Sequence, residues 1–153
     1  MNICAIDPSS KKPVIVSNFA MPGQAFLNGE LYAHKFKLDG NGLYDLMKIA
    51  QSWQGGILII EDQMFYNSAH TLKIIAQAAG MLIAPFLAYD WEIIKVQPIT
   101  WQCALFPGKR MKRELSKQKA KEYASRLVAA EVKDEDVADA ICIFDWYRQH
   151  RQK

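Results

Sequence analysis

The run at residues 57–60 places four apolar side chains in succession, Ile57, Leu58, Ile59 and Ile60. A strand formed here would be apolar on both faces, which is typical of a central strand covered by helices on each side of its sheet. Residues 1–7 contain a similar apolar run, from Ile3 to Ile6. We therefore expect two buried strands in one sheet that lies between layers of helices.

The remaining elements complete an α/β pattern. Strands at 13–19 and 30–37 are expected as antiparallel neighbours of the first, because the turn-forming pairs Pro22-Gly23 and Asn28-Gly29 separate them. A last strand is expected at 91–96. Helices are expected at 43–53, 68–87, 116–130 and 134–148, the second interrupted near Gly80 or Pro85, with a loop and short helix over 98–112. The pattern predicts a mixed five-stranded sheet, three antiparallel strands then parallel ones, flanked by helices.

Composition limits the class of protein. The chain has 153 residues, half of them hydrophobic, so we expect one folded domain over residues 1–153 rather than a disordered tail. Three widely spaced cysteines favour free thiols and a cytoplasmic location. We expect that no apolar stretch approaches the roughly 20 residues of a membrane span, and that the first residues leave no room for a signal peptide. We expect no membrane association.

Four acidic residues stand where a fold could gather them. Asp7 and Glu61 each close an apolar strand, and Asp136 and Asp139 lie three apart in the last helix. Carboxylate oxygens suit hard divalent cations, and paired metals support in-line displacement at phosphate. The pattern predicts a metal-dependent nuclease with two Mg²⁺ ions per site, Mn²⁺ being an alternative.

Each acid also has a simpler explanation. Asp7 precedes Pro8 and could be only a turn residue, and Asp62 could be the relevant acid in place of Glu61. Asp136 and Asp139 could simply favour the positive end of a helix dipole. The two acids nevertheless continue a helical stripe with Ala140, Ile143 and Tyr147, which predicts that they face protein rather than water.

A basic segment lies between residues 109 and 126. Its eight basic and two acidic residues give it a net charge of +6, whereas the whole chain carries +3. Such a segment could be a solvated helix face, but beside carboxylates it is suited to a polyanion bridged by metals. The candidate DNA-binding residues here are Lys109, Arg110, Lys112, Arg113 and Lys119.

Three motifs in this order resemble the RuvC family of Holliday junction resolvases. They are residues 5–10 (AIDPSS), 59–61 (IIE) and 136–140 (DVADA). The stretch from Asn67 to Gly80 is similar to the family's helix after the glutamate, and Lys117 resembles the lysine before the last acidic pair. The resemblance covers nearly the whole chain, whose compact length is closer to the bacteriophage and viral members.

The resemblance implies an RNase H-like fold, a homodimer and metal-assisted cleavage of four-way junctions and other branched DNA. Asp7, Glu61, Asp136 and Asp139 would hold the metals, and Lys117 would offset charge on the phosphate. Whether a helicase partner is needed is not implied. The chain departs from the family at Ser9, where glycine is usual, and at Met64, where bacterial members have an aromatic residue. Phe65 or Tyr66 could take over stacking on an opened base, or could pack in the core.

Two other functions fit the same sequence. One is a different RNase H-like nuclease that cuts RNA–DNA hybrids or flaps, and the other is a branched-DNA-binding protein without catalysis. For the homodimer we expect the helix at 68–87 to form the contact, because it is apolar or small on nearly all sides. The alternative is a central helix wrapped by its own domain.

Overall fold

The part of the chain that the structure describes folds around a central six-stranded sheet. The structure, a computed structural model, describes residues 1–8, 12–20, 25–28, 30–62, 68–108 and 112–151. The strands are β1 (Ile3–Asp7), β2 (Val14–Ser17), β3 (Ala25–Asn28), β4 (Leu31–Lys35), β5 (Ile57–Glu61) and β6 (Glu92–Val96). The helices are α1 (Gly40–Ser52), α2 (Ala69–Leu87), α3 (Pro98–Leu105), α4 (Arg113–Val128) and α5 (Glu135–Arg151).

The sheet is mixed, in the order β3-β4-β2-β1-β5-β6. β1 pairs in parallel with β5, and β5 in parallel with β6, whereas β1, β2, β4 and β3 pair successively antiparallel. The parallel half has the two crossover helices α1 and α2 that parallel neighbours require. The expected order of antiparallel strands followed by parallel strands is confirmed.

Two apolar cores lie on opposite faces of the sheet, because successive strand side chains alternate between faces. Ile3 and Ala5 of β1 and Ile57 and Ile59 of β5 face α3, α4 and α5. The alternate residues of both strands face α1 and α2. The helix α5 is buried almost completely from Ala140 to Tyr147, since it packs between the sheet and α4. The expected sandwich of helices around the sheet is confirmed.

The expected elements are all present, with small shifts of their ends. The five expected strands appear, and β3 adds a short edge strand that pairs with β4. The expectation missed β3 because its four residues lie between two turn signals. The helix α2 runs from Ala69 to Leu87 without the expected break, although Pro85 lies inside it.

The helix α2 also corrects an expectation about membranes. It is long and apolar enough, by length and composition, to cross a membrane, although we expected no such stretch. Alanines at intervals along the helix raise its hydropathy without a continuous run of large apolar residues. Ala78, Leu82 and Phe86 pack it against α1 and β6. One such helix is weak evidence for a membrane span.

Candidate active site at the carboxyl edge of the sheet

Two carboxylates lie side by side on one face of the sheet, at the carboxyl ends of β1 and β5. Ile6 pairs in register with Ile60, so Asp7 and Glu61 are the next residues on two adjacent parallel strands. Asp7 shares a face with Ile3 and Ala5, and Glu61 shares the same face with Ile57 and Ile59. Both side chains are more than nine-tenths buried. The sequence left Glu61 and Asp62 as alternatives, and the alternation of faces places Glu61 at the site.

The helix α5 brings the other two acids over the same edge. Asp134 caps the helix, since its Oδ1 accepts hydrogen bonds from the backbone N–H groups of Asp136 and Val137 at 3.0 and 3.2 Å. Asp136 therefore lies in the first turn, and Asp139 follows about one turn later. Asp136 and Asp139 are both half-buried, and the Asp136 side chain is 37% exposed. The two acids of the stripe therefore lie partly against protein and partly toward solvent.

The acids influence one another electrostatically. Burial raises the pKa of Asp7 well above its usual range, and the charges of Glu61, Asp139 and Asp136 raise it further. Burial also raises the pKa of Asp139, to about 7, and the charges of Glu61 and Asp136 act in the same direction. Lys117 lowers both pKa values. These interactions indicate that the four carboxylates form one cluster of like charge.

Lys35 is a cation at this site that the sequence analysis missed. It ends β4 on the α5 face, because Leu31 and Ala33 of the same strand face that core. Its Nζ lies 2.8 Å from Asp134 Oδ2 and 3.1 Å from Asp136 Oδ2. Lys35 thus holds Asp136 toward β4. The sequence signal for this position was the alternation of Leu31, Ala33 and Lys35 along β4, which places all three side chains on the face toward α5.

A line of basic residues on α4 faces the start of α5. Arg113, Lys117 and Lys121 are spaced four apart, so they share one side of the helix. Lys117 forms an ion pair with Glu135, and Arg113 and Lys121 add to the lowering of the Glu135 pKa. Lys117 also lies near enough to Asp7 and Asp139 to lower their pKa values. Lys119 lies on another side of α4, roughly 200° around the helix from Lys117.

Trp101 is the second residue that the sequence analysis missed. Its side chain is completely buried, and its indole N–H donates a hydrogen bond of 2.9 Å to Glu61 Oε2. The two residues are forty positions apart in sequence, in α3 and β5. We find no sequence signal that would have connected them.

The residues fit divalent cations in their chemistry. Asp7 is buried, and within the described ranges no hydrogen bond or ion pair reaches its carboxylate, so a cation would compensate a charge that protein groups leave unpaired. Carboxylate oxygens are the ligands that Mg²⁺ and Mn²⁺ prefer. Among the described residues, no three potential ligands are already grouped closely enough to hold a metal. Asp7, Glu61, Asp136 and Asp139 could do so if Asp136 left Lys35 and turned toward the other three.

The predicted DNA-binding residues of α4 differ in exposure. Lys112 and Arg113 are exposed at the start of α4, and Lys119 is half-buried. Phe65, Tyr66, Lys109 and Arg110 lie outside the described residues, as does Ser9. Their proposed contacts with DNA stay predictions.

Comparison of the whole structure with solved structures identifies the fold. Thermus thermophilus RuvC matches with a TM-score of 0.72 and 15% identity, over 97% of this chain and 96% of that chain. The complex of T. thermophilus RuvC with Holliday junction substrate gives 0.73 and 14%, over 97% and 95%. The Fowlpox virus resolvase in complex with substrate Holliday junction DNA gives 0.62 and 16%, over all of both chains.

The chain has the fold of the RuvC resolvases. The expected RNase H-like architecture is therefore confirmed. No protein-family model and no curated protein sequence matches the chain. At 12–16% identity the structural similarity establishes the fold alone.

The raised pKa of Asp139 predicts how the metal-free protein responds to pH. The folded state holds the proton up to about pH 7, whereas an unfolded aspartate loses it near pH 4, so this group makes stability fall as pH rises between those values. Asp139→Asn should remove that fall and stabilise the protein at pH 7.5 by about 2 kcal/mol, allowing for solvent screening. The measurement is urea unfolding in EDTA at pH 4.5 and pH 7.5.

Asp134→Asn is the matched control. Burial opposes ionisation of Asp134, but the hydrogen bond from Lys35 and those from two backbone N–H groups outweigh it and lower the pKa. This group's stabilisation is present at neutral pH and is lost as pH falls, so Asp134→Asn should destabilise the protein at pH 7.5. An Asp139→Asn effect that is constant between the two pH values would contradict the electrostatic description.

Proposed function

We propose that this protein is a metal-dependent endonuclease that recognises branched DNA by its shape and cuts it, Holliday junctions above all. The observation that carries the proposal is the convergence of Asp7, Glu61, Asp136 and Asp139 at one edge of a RuvC-like fold. The solved structures of this fold include two complexes with Holliday junction DNA. A buried cluster of like charges destabilises a fold unless cations neutralise it. Its presence here therefore favours a cation-dependent catalytic role over DNA binding alone.

In this mechanism the four carboxylates would hold two divalent cations, which would supply Lewis-acid chemistry at the scissile phosphate. Bound cations would activate a water and stabilise the departing 3′ oxygen. Lys117 lies close enough to lower the pKa values of Asp7 and Asp139, so it can also offset negative charge on the phosphate. Glu135 holds Lys117 in place through their ion pair.

Basic residues of α4 would hold the DNA backbone. Lys112 and Arg113 are exposed at the amino end of α4, next to the ion-paired Lys117. Lysine and arginine contacts to phosphate position a duplex without reading its sequence. Selection of branched DNA would then depend on shape and deformability, with Phe65 or Tyr66 stacking on an opened base.

We further propose a cytoplasmic homodimer, whose two sites would match the two symmetric strands of a junction. The contact would be α2, together with neighbouring residues of α1. Leu72, Ile74, Met81 and Leu87 of α2 are exposed, as are Tyr44 and Met47 of α1. The helix α2 is therefore not wrapped by its own domain, which was the alternative. Exposed apolar side chains at this density mark interaction surfaces.

The cleavage prediction concerns the metal ligands. Asp7→Asn and Glu61→Gln should abolish Mg²⁺-dependent cutting of a labelled four-way junction while folding and junction binding persist, because each removes a ligand and a repulsive charge. Asp62→Asn is the control, since Asp62 follows Glu61 but lies beyond the strand end. It should cut like the wild type.

A flap and an RNA–DNA hybrid should be assayed beside the junction. We expect the junction to be cut fastest, and faster cutting of either other substrate would assign a different RNase H-like nuclease. Binding without cutting in Mg²⁺ and in Mn²⁺ would indicate a non-catalytic DNA-binding protein. Full cleavage by Asp7→Asn would exclude the proposed site.

The binding prediction concerns α4. Replacing Lys112 and Arg113 with alanine should weaken junction binding and flatten the slope of log affinity against log salt by about one unit per lost contact. Lys48→Ala, on α1 in the opposite helix layer, is the control and should leave the slope unchanged. An unchanged slope in the double variant would mean that this end of α4 faces solvent in the complex.

Lys117→Ala should behave differently from the alanine variants of Lys112 and Arg113. Because Lys117 lies at the carboxylate cluster, its loss should reduce the cleavage rate at saturating protein more than it reduces affinity. A loss of affinity with an unchanged rate would make Lys117 a phosphate contact only.

The dimer prediction concerns mass. Light scattering at micromolar concentration should give about twice 17.4 kDa. Replacing Ile74 and Met81 with lysine should give the monomer, whereas Leu115→Lys on α4, an equally exposed apolar position, should not. A wild-type monomer that still makes paired, symmetric nicks in a junction would contradict the dimer.

A further inference from the structure

The hydrogen bond from Trp101 to Glu61 is a direct contact between a fully buried neutral side chain and the carboxylate cluster. Trp101 Nε1 donates to Glu61 Oε2 at 2.9 Å, and the Trp101 side chain has no exposed surface. The Phe106 ring packs edge-on to the indole, with centroids 6.3 Å apart at 74°. The indole is thereby held in one orientation, with its single N–H directed at the acid.

The local chain path brings the indole to this edge. Glu61 pairs with Val96 at the ends of β5 and β6, and the Asp62 N–H donates to the Val96 carbonyl at 2.8 Å. Pro98 then starts α3, as proline often does at a first helical position. One turn into α3, Trp101 lies over the end of β5, on the same face as Glu61.

We propose that Trp101 is a positioning residue for Glu61, whose indole N–H fixes the carboxylate in the orientation that receives a divalent cation. This inference rests on the proposed function, in which Glu61 is a cation ligand. Carboxylates that ligate metals are themselves held by hydrogen bonds, and loss of such a partner typically lowers metal affinity about 10–100-fold. An indole suits this role because it donates one hydrogen bond and accepts none, so it cannot compete with Glu61 for the cation.

The sequence offers a matched control in Trp91. Trp91 is also buried, and its indole N–H donates to the Ala50 carbonyl at 3.0 Å. It lies in the opposite core, against α1 and α2. Trp101→Phe and Trp91→Phe therefore each remove one buried indole hydrogen bond and a similar volume, but only the first touches the carboxylate cluster.

The experiment measures Mg²⁺ affinity by calorimetry in the wild type, both tryptophan variants and Glu61→Gln. Trp101→Phe should weaken Mg²⁺ binding about 10-fold. Trp91→Phe should bind Mg²⁺ like the wild type even if it unfolds at a lower temperature. Trp101→Phe in the Glu61→Gln background should add no further loss, because the indole then has no cation ligand to orient.

A second measurement follows the indole N–H resonances by NMR, first in the wild-type protein. Among the indole N–H resonances, that of Trp101 should shift during a Mg²⁺ titration and that of Trp91 should not. The Trp101 shift should disappear in Glu61→Gln.

The outcomes separate this inference from the proposed function. Equal Mg²⁺ affinities in Trp101→Phe and Trp91→Phe, with Glu61→Gln impaired, would overturn the role of Trp101 alone. An unresponsive Trp101 resonance would do the same. Wild-type Mg²⁺ affinity in Glu61→Gln would overturn both the proposed site and this inference.

Discussion

Two parallel strands in register hold two carboxylates next to each other, and the rest of the site is organised around their repulsion. Adjacent strands are about 4.8 Å apart, so Asp7 and Glu61 cannot separate without breaking the β1–β5 pairing. Asp139 adds a third carboxyl group from α5. Lys117 approaches from α4 and compensates part of the negative charge, and Lys35 on β4 pairs with Asp136. Divalent cations would neutralise the negative charge that remains.

The position of Lys117 depends on how α4 is fixed against α5. Asp145 of α5 is completely buried and accepts hydrogen bonds from the Tyr123 hydroxyl at 2.6 Å and from Arg148 Nε–H at 3.1 Å. Burial, together with the hydrogen bond to Asp145, raises the pKa of Tyr123 to about 12, so the hydroxyl remains a donor at neutral pH. This polar contact within an apolar interface specifies one register of the two helices. Lys117 then lies beside Glu135 and the carboxylates.

Local sequence patterns predicted most of the fold and singled out the four acids as candidates, because both follow from short-range periodicity. Alternation in β1 and β5 and helical spacing in α5 are visible without the structure. The choice of Glu61 over Asp62 required strand register, which shows the face of each side chain. The alternation in β4 could have placed Lys35 on the α5 face, but its partners lie about 100 positions away and meet it through the pairing of β2 with β4. Trp101 could not be predicted, because it meets Glu61 over 40 positions through the pairing of β5 with β6. The strand β3 was missed because four residues carry too little pattern.

The edge formed by β1, β5 and α5 is the proposed binding site for divalent cations. Anomalous diffraction from crystals grown with Mn²⁺ would locate the metal without reference to activity. We expect peaks within coordination distance of Asp7, Glu61 and Asp139, with Asp136 turned from Lys35 toward the metal, and loss of these peaks in Asp7→Asn crystals. Mn²⁺ peaks elsewhere on the protein, with none at this edge, would contradict the proposed site.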